Sequence, residues 1–235
     1  MIRLVSLFGV LAAMGLAFAP PPARADFSAC ASALGATDPH EKIELYTSCL
    51  KHGGLPRTDV SSAFNNRAVA YQQVGQPDKA LQDFDAAIQY DPSWPNAYVG
   101  RAAIEAPRGL CKEAVHDLDK ALKTGQRNAF FFNQTAWVLA TCADSSVRDG
   151  SRAVDLAQKA LKLKEDSSFH DTLAAAYAEA GRFDEAQAEE ARAIQASSGE
   201  RTERVEGMQA RLELYRNRLP FHAAPAPVSA SRPSK

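Results

Sequence analysis

Residues 61–94 read SSAFNNRAVAYQQVGQPDKALQDFDAAIQYDPSW, and residues 95–128 read PNAYVGRAAIEAPRGLCKEAVHDLDKALKTGQRN. Set one above the other, Phe64 falls on Tyr98, Ala68 on Ala102, Gly75 on Gly109 and Ala80 on Ala114. Phe84 then falls on Leu118, Ala87 on Ala121 and Ile88 on Leu122, each pair 34 residues apart. A repeat of that length is a unit that buries its apolar face against its neighbours. Within the unit, Phe64, Arg67, Ala68 and Tyr71 recur at helical spacing, and so do Ala80, Leu81, Phe84, Ala87 and Ile88. Gly75 and Pro77 punctuate the turn between two helices, and Pro92 after Asp91 stops the second. Small residues at Ala68 and Ala80 let the two backbones approach, while Tyr71 and Phe84 fill the space beside them.

On these residues the chain resembles the tetratricopeptide repeat family, whose pattern places an aromatic at position 4, small residues at 8 and 20, aromatics at 11 and 24, alanine at 27 and proline at 32. Residues 61–94 depart from it at Arg67, where leucine is usual. A further unit starts near Ser167, with Leu173, Ala174, Tyr177, Gly181, Ala186, Ala193 and Ile194 in register and Glu190 in place of the second aromatic. Between them, Phe132, Ala136 and Leu139 begin an expanded unit that Ala153, Ala157, Ala160 and Leu161 complete, with Asp144 to Arg148 as an insertion. The resemblance implies an all-α chain, a right-handed α-solenoid of antiparallel helix pairs. Its units are 61–94, 95–128, 129–166 with the insertion at 144–148, and 167–199.

The flanks read differently. Met1 to Ala25 has a basic start at Arg3, a charge-free apolar run from Leu4 to Ala19, and Ala23-Arg24-Ala25 before Asp26, the three parts of a secretory signal peptide. A membrane anchor is the alternative, but the clean apolar run is shorter than the ~20 residues a spanning helix needs. Lipidation of Cys30 is a weaker one, because Arg24 and Asp26 separate that cysteine from the apolar run. Residues 27–60 read as an N-terminal capping hairpin, with Ile43, Tyr46, Cys49 and Leu50 as a degenerate second helix. Val205, Met208, Leu212, Tyr215 and Leu219 form one stripe, so 200–219 reads as a C-terminal capping helix. Residues 220–235, rich in Pro, Ala and Ser, read as a disordered tail.

Export to an oxidising compartment, periplasmic or extracellular, favours disulfides among Cys30, Cys49, Cys111 and Cys142. The midpoint of Cys30 and Cys49 falls in the Asp38-Pro39-His40 turn, and that of Cys111 and Cys142 falls in Gly125 to Asn128. Residues equidistant from the turn of an antiparallel helix pair stand at the same height, so Cys30–Cys49 and Cys111–Cys142 is the expected pairing. Four buried thiols acting as small hydrophobes is the alternative.

No catalytic constellation is legible. The five histidines are scattered, and there is no H-E-x-x-H, G-x-S-x-G or glycine-rich phosphate loop, so no enzyme activity, metal or cofactor is expected. His116-Asp117-Leu118-Asp119 reads as a solvated face around the packing residue Leu118. The formal charge of −1, or −3 without residues 1–25, speaks against nucleic acid as a partner. What the resemblance implies instead is a groove lined by the first helices, which binds a protein or peptide. Carried onto this sequence, its lining is Asn65, Asn66, Val69, Gln72 and Gln73, then Asn96, Val99, Gly100 and Ala103, then Phe130, Asn133, Gln134 and Trp137, and last Asp171, Thr172 and Glu179. That face is rich in amides, lacks the basic residues of a carboxylate clamp, and has an aromatic spot at Phe130 and Trp137, although Trp137 reads equally well as packing between repeats. The expected protein is thus a non-catalytic binding scaffold of the cell envelope, with no transmembrane span in its mature chain. Weak self-association through the 200–219 helix, or a role as accessory subunit of an envelope enzyme, are the alternatives.

Overall fold

A computed structural model describes residues 28–52, 54–197, 199 and 201–225. The expected signal segment and residues 226–235 of the expected tail lie outside these. Among the described residues there are eleven α-helices and no strand: α1 (Ser28–Gly35), α2 (Pro39–His52), α3 (Arg57–Gln73), α4 (Pro77–Tyr90), α5 (Pro95–Glu105), α6 (Cys111–Lys123), α7 (Ala129–Thr141), α8 (Gly150–Leu163), α9 (Ser167–Glu179), α10 (Phe183–Ala196) and α11 (Thr202–Arg216). No helix among them is long and apolar enough to cross a membrane.

Local chemistry sets the helix ends. Pro77 and Pro95 occupy first helical positions, where the missing N–H costs nothing. Asn128, Asp149 and Asp166 cap α7, α8 and α9 by accepting from the N–H groups of Phe130, Arg152 and Ser168. The turns inside three helix pairs repeat one geometry. Gly75, Gly109 and Gly181 adopt φ of 72°, 82° and 76°, and the next residue closes the helix end by Gln76 N–H to Tyr71 O, Leu110 N–H to Glu105 O and Arg182 N–H to Tyr177 O. In the expanded unit the equivalent carbonyl, Leu139 O, accepts from Asp149 N–H at 3.0 Å. The inserted residues therefore loop outward while the helix end stays satisfied.

Successive pairs α3–α4, α5–α6, α7–α8 and α9–α10 stack, each first helix also touching the second helix of the pair before it. The first helices α3, α5, α7 and α9 touch one another in turn and form one layer. The apolar interior is a string of clusters along this stack, built on fully buried alanines such as Ala80, Ala114, Ala153 and Ala186 beside Phe84 and Leu118. Gly100, expected on the groove, belongs to this interior instead. A Cβ there would lie 2.3 Å from Cζ of Phe84, so α5 approaches the preceding pair more closely than any side chain permits.

The pairs Cys30–Cys49 and Cys111–Cys142 stand at disulfide distance, with Cα separations of 5.1 and 6.3 Å. The first ties α1 to α2 and the second ties the start of α6 to the end of α7. Helix α11 closes the stack on α10 with Met208 and Tyr215 fully buried. Leu219, expected in the same stripe, is 53% exposed, because the chain turns away at Arg218, whose φ is 56°. Residues 220–225, the described part of the expected tail, carry no helix or strand and lie against α7, with a backbone hydrogen bond from Ala223 N–H to Thr141 O at 2.7 Å. The cause is local: Thr141 ends α7, so its carbonyl has no partner within the helix.

Candidate functional site

The first-helix layer exposes a face with a hollow between α5 and α7. Ala102, Ala103 and Ala106 form one wall, and Gln134, Trp137, Val138 and Thr141 form the other. Ala223, Ala224 and Pro225 cover it, leaving an apolar cavity of about 250 Å³. Helical spacing on α7 aligns Gln134, Trp137, Val138 and Thr141 on one stripe, and the run of small residues on α5 leaves the hollow opposite. The Trp137 ring meets Phe221, with centroids 6.1 Å apart. The Arg211 guanidinium stands over both, 5.7 Å from the Trp137 centroid and 5.5 Å from that of Phe221.

Arg211 also joins this face to a buried charge cluster. It grips Asp171 of α9 through two hydrogen bonds of 2.8 and 2.9 Å and lies 3.4 Å from Glu190 of α10. Glu190 is fully buried against Asp171 and Arg211. Burial, reinforced by the neighbouring Asp171 charge, pushes its carboxyl up to about 9. Asp171 is raised by the same burial, while Arg211 opposes the shift. The bidentate geometry assigns the negative charge to Asp171 and the proton to Glu190. Desolvation beside these acids holds the Tyr215 phenol above its ordinary value. On the far side of α9, burial works against charging His170, but hydrogen bonds to Glu165 and Glu189 outweigh it and raise its pKa.

Of the expected groove residues, the structure brings Ala103, Gln134 and Trp137 to the cavity, and Asp171 to its edge through Arg211. Phe130 is 49% exposed at the second residue of α7, and Asn96 is exposed at the start of α5, both remote from the cavity at the other ends of their helices. Asn66 and Gln72 are half-buried on α3, and Asn65 and Asn133 are buried with an unpartnered Oδ1 each. Asn65 donates to Asn66 at 3.3 Å. Val99 departs from the expectation: it is 3% exposed and belongs to the buried apolar cluster that α5, α6 and α7 share. His116 is exposed, Asp117 is buried against Arg101, and Asp119 pairs with Arg152. No group of three or more potential metal ligands occurs among the described residues.

Sequence reasoning missed Arg211 and the segment Phe221–Pro225. Their signals were present: a lone aromatic within a Pro- and Ala-rich stretch, and an arginine on the capping helix one stack away from the unusual Glu190. It also missed a second-repeat copy of the Arg67 departure. Arg67 clasps Asp83 through hydrogen bonds of 2.7 Å, and Arg101 clasps Asp117 through hydrogen bonds of 2.6 and 2.8 Å, the same two positions one repeat on.

The family model for the tetratricopeptide repeat matches residues 61–93. No curated relative matches the chain. Among solved structures, a thermophilic TPR protein of Thermus thermophilus is similar with a TM-score of 0.56 at 19% identity, over 82% of this chain and 97% of that one. YrrB, described as a TPR protein with an unusual peptide-binding site, has a TM-score of 0.56 at 22% identity, over 75% of this chain and 86% of its own. A tetratricopeptide repeat protein from Parabacteroides merdae has a TM-score of 0.61 at 13% identity, over 82% and 72% respectively. The helix pairs, their left-handed turn glycines and these likenesses agree: the chain carries a tetratricopeptide repeat at residues 61–93 and has the fold of a tetratricopeptide-repeat solenoid.

Proposed function

We propose that the protein is a non-catalytic scaffold of the cell envelope that binds an extended stretch of a protein or peptide partner on the α5–α7 face. One observation carries this reading. The face already holds a stretch of chain free of helix and strand, residues 220–225, by a backbone hydrogen bond to Thr141 and by an aromatic contact to Trp137. Main-chain bonding with one seated side chain is how a helical groove recognises extended chain. The two cysteine pairs at disulfide distance and the signal-like start support an oxidising, exported location. Self-assembly through the 200–219 helix has less support, since Met208 and Tyr215 of its apolar stripe are already spent on α10.

Capture from envelope extract tests the reading. A bound protein that is lost on Trp137→Ala and Gln134→Ala, with both variants melting cooperatively, supports the face. A partner retained by both variants places binding elsewhere.

A further inference from the structure

The segment leaving α11 is matched to the face contact by contact. After the turn at Arg218, Phe221 sets its ring against Trp137 under the Arg211 guanidinium. The His222 imidazole lies 2.7 Å from a carboxylate oxygen of Glu179, whose other oxygen accepts from Arg148 at 2.8 Å. Ala223 N–H donates to Thr141 O. Ala223 to Pro225 then close the apolar cavity, and Pro225 passes 3.5 Å from the place a Cβ would take on Gly109. An aromatic anchor, a backbone donor at the second residue after it, and small apolar residues beyond together read out the chemistry of the site. Charged side chains in the places of Ala223 to Pro225 would meet walls of Ala102, Ala103, Ala106 and Val138, with no charged group among the lining.

We infer that residues 220–225 are an intramolecular ligand of the α5–α7 face, and that the partner presents an extended segment of the same chemistry, an aromatic residue followed by small apolar residues, which binds by displacing them. This rests on the peptide-binding reading of that face. A tethered ligand acts at an effective concentration of about millimolar, so a weak contact suffices to hold the face closed against a free peptide. A partner that competes must then overcome the occupied fraction, which lowers its apparent affinity accordingly.

The test uses the full chain and the variants Phe221→Ala and Ala223→Pro, the second removing the N–H that Thr141 accepts from. The probe is a synthetic peptide of sequence Pro-Phe-His-Ala-Ala-Pro, blocked at both ends, labelled and followed by fluorescence anisotropy. Both variants are expected to bind it roughly 10-fold or more tightly than the native chain, and adding Trp137→Ala to either is expected to abolish that gain. Thermal melting checks that each chain is folded. Equal binding by native and variant chains, or binding by none, overturns the inference. So does a native dimer in sedimentation that dissociates on Phe221→Ala, since the segment would then belong to a second copy. A captured partner that is lost on Trp137→Ala yet binds the native chain and Phe221→Ala equally overturns the self-ligand alone, leaving the peptide-binding face intact. A partner insensitive to Trp137 overturns both.

Discussion

Glu190 occupies the position that Phe84 and Leu118 hold in earlier repeats, and all three are buried. A carboxyl replaces a ring there because the element packed on α10 is α11, which brings Arg211 and Tyr215. The acids and bases facing it are Asp171 on α9 and Arg211 and Tyr215 on α11, and Arg204 of α11 acts on Asp171 in turn. Its folded pKa of about 9 lies above the ordinary 4.5, so the protonated form is the one the fold accommodates. The resulting contribution to stability is fully present below about pH 4.5 and is lost as pH rises through about 9. The raised pKa values of Asp171 and His170 act in the same direction. Urea unfolding at pH 5, 7 and 9 is expected to show falling stability for the native chain. It should fall less for Glu190→Leu, with the difference at pH 9 on the order of a few kcal/mol in favour of the variant. A variant less stable than the native chain at pH 9 would show that Glu190 is held there as a favourable ion.

At the scale of elements, the paired Arg67–Asp83 and Arg101–Asp117 bridges join the first helix of a repeat to its second. The Arg67 and Asp83 side chains are 15% and 8% exposed, so this is an interior bridge whose loss of one partner strands the other. Asp83→Ala is expected to cost about 3 kcal/mol in chemical unfolding. Arg67→Leu with Asp83→Leu, which restores the apolar residue usual at the first position, should cost much less; equal costs would contradict the pairing. The element pattern itself was legible in the sequence. Ala68, Ala80, Ala87 and the turn glycine Gly75 recur 34 residues on as Ala102, Ala114, Ala121 and Gly109, and local turn and packing requirements are what such a period encodes. The bridges were not legible as bridges, because Arg67 stands sixteen positions before Asp83 and neither breaks the helical pattern. Gly100 and Val99 were misplaced for a related reason. Which way a helix face points is set by its crossing with the neighbouring pair, and the period does not contain that angle.

For the whole molecule, the groove was legible as a face but not as an occupied one. Helical spacing placed Gln134 and Trp137 together, whereas residues 220–225 reach them from the far end of the chain by a turn at Arg218 that composition alone reads as the start of a loose tail. The account stands on that segment being seated. Amide hydrogen exchange at Ala223 in the full native chain tests it most directly, because its N–H is given to Thr141 O at 2.7 Å. Exchange slowed at least about 10-fold relative to an unstructured peptide is expected, with the protection lost in Phe221→Ala. Exchange at the free-peptide rate in the native chain would contradict it.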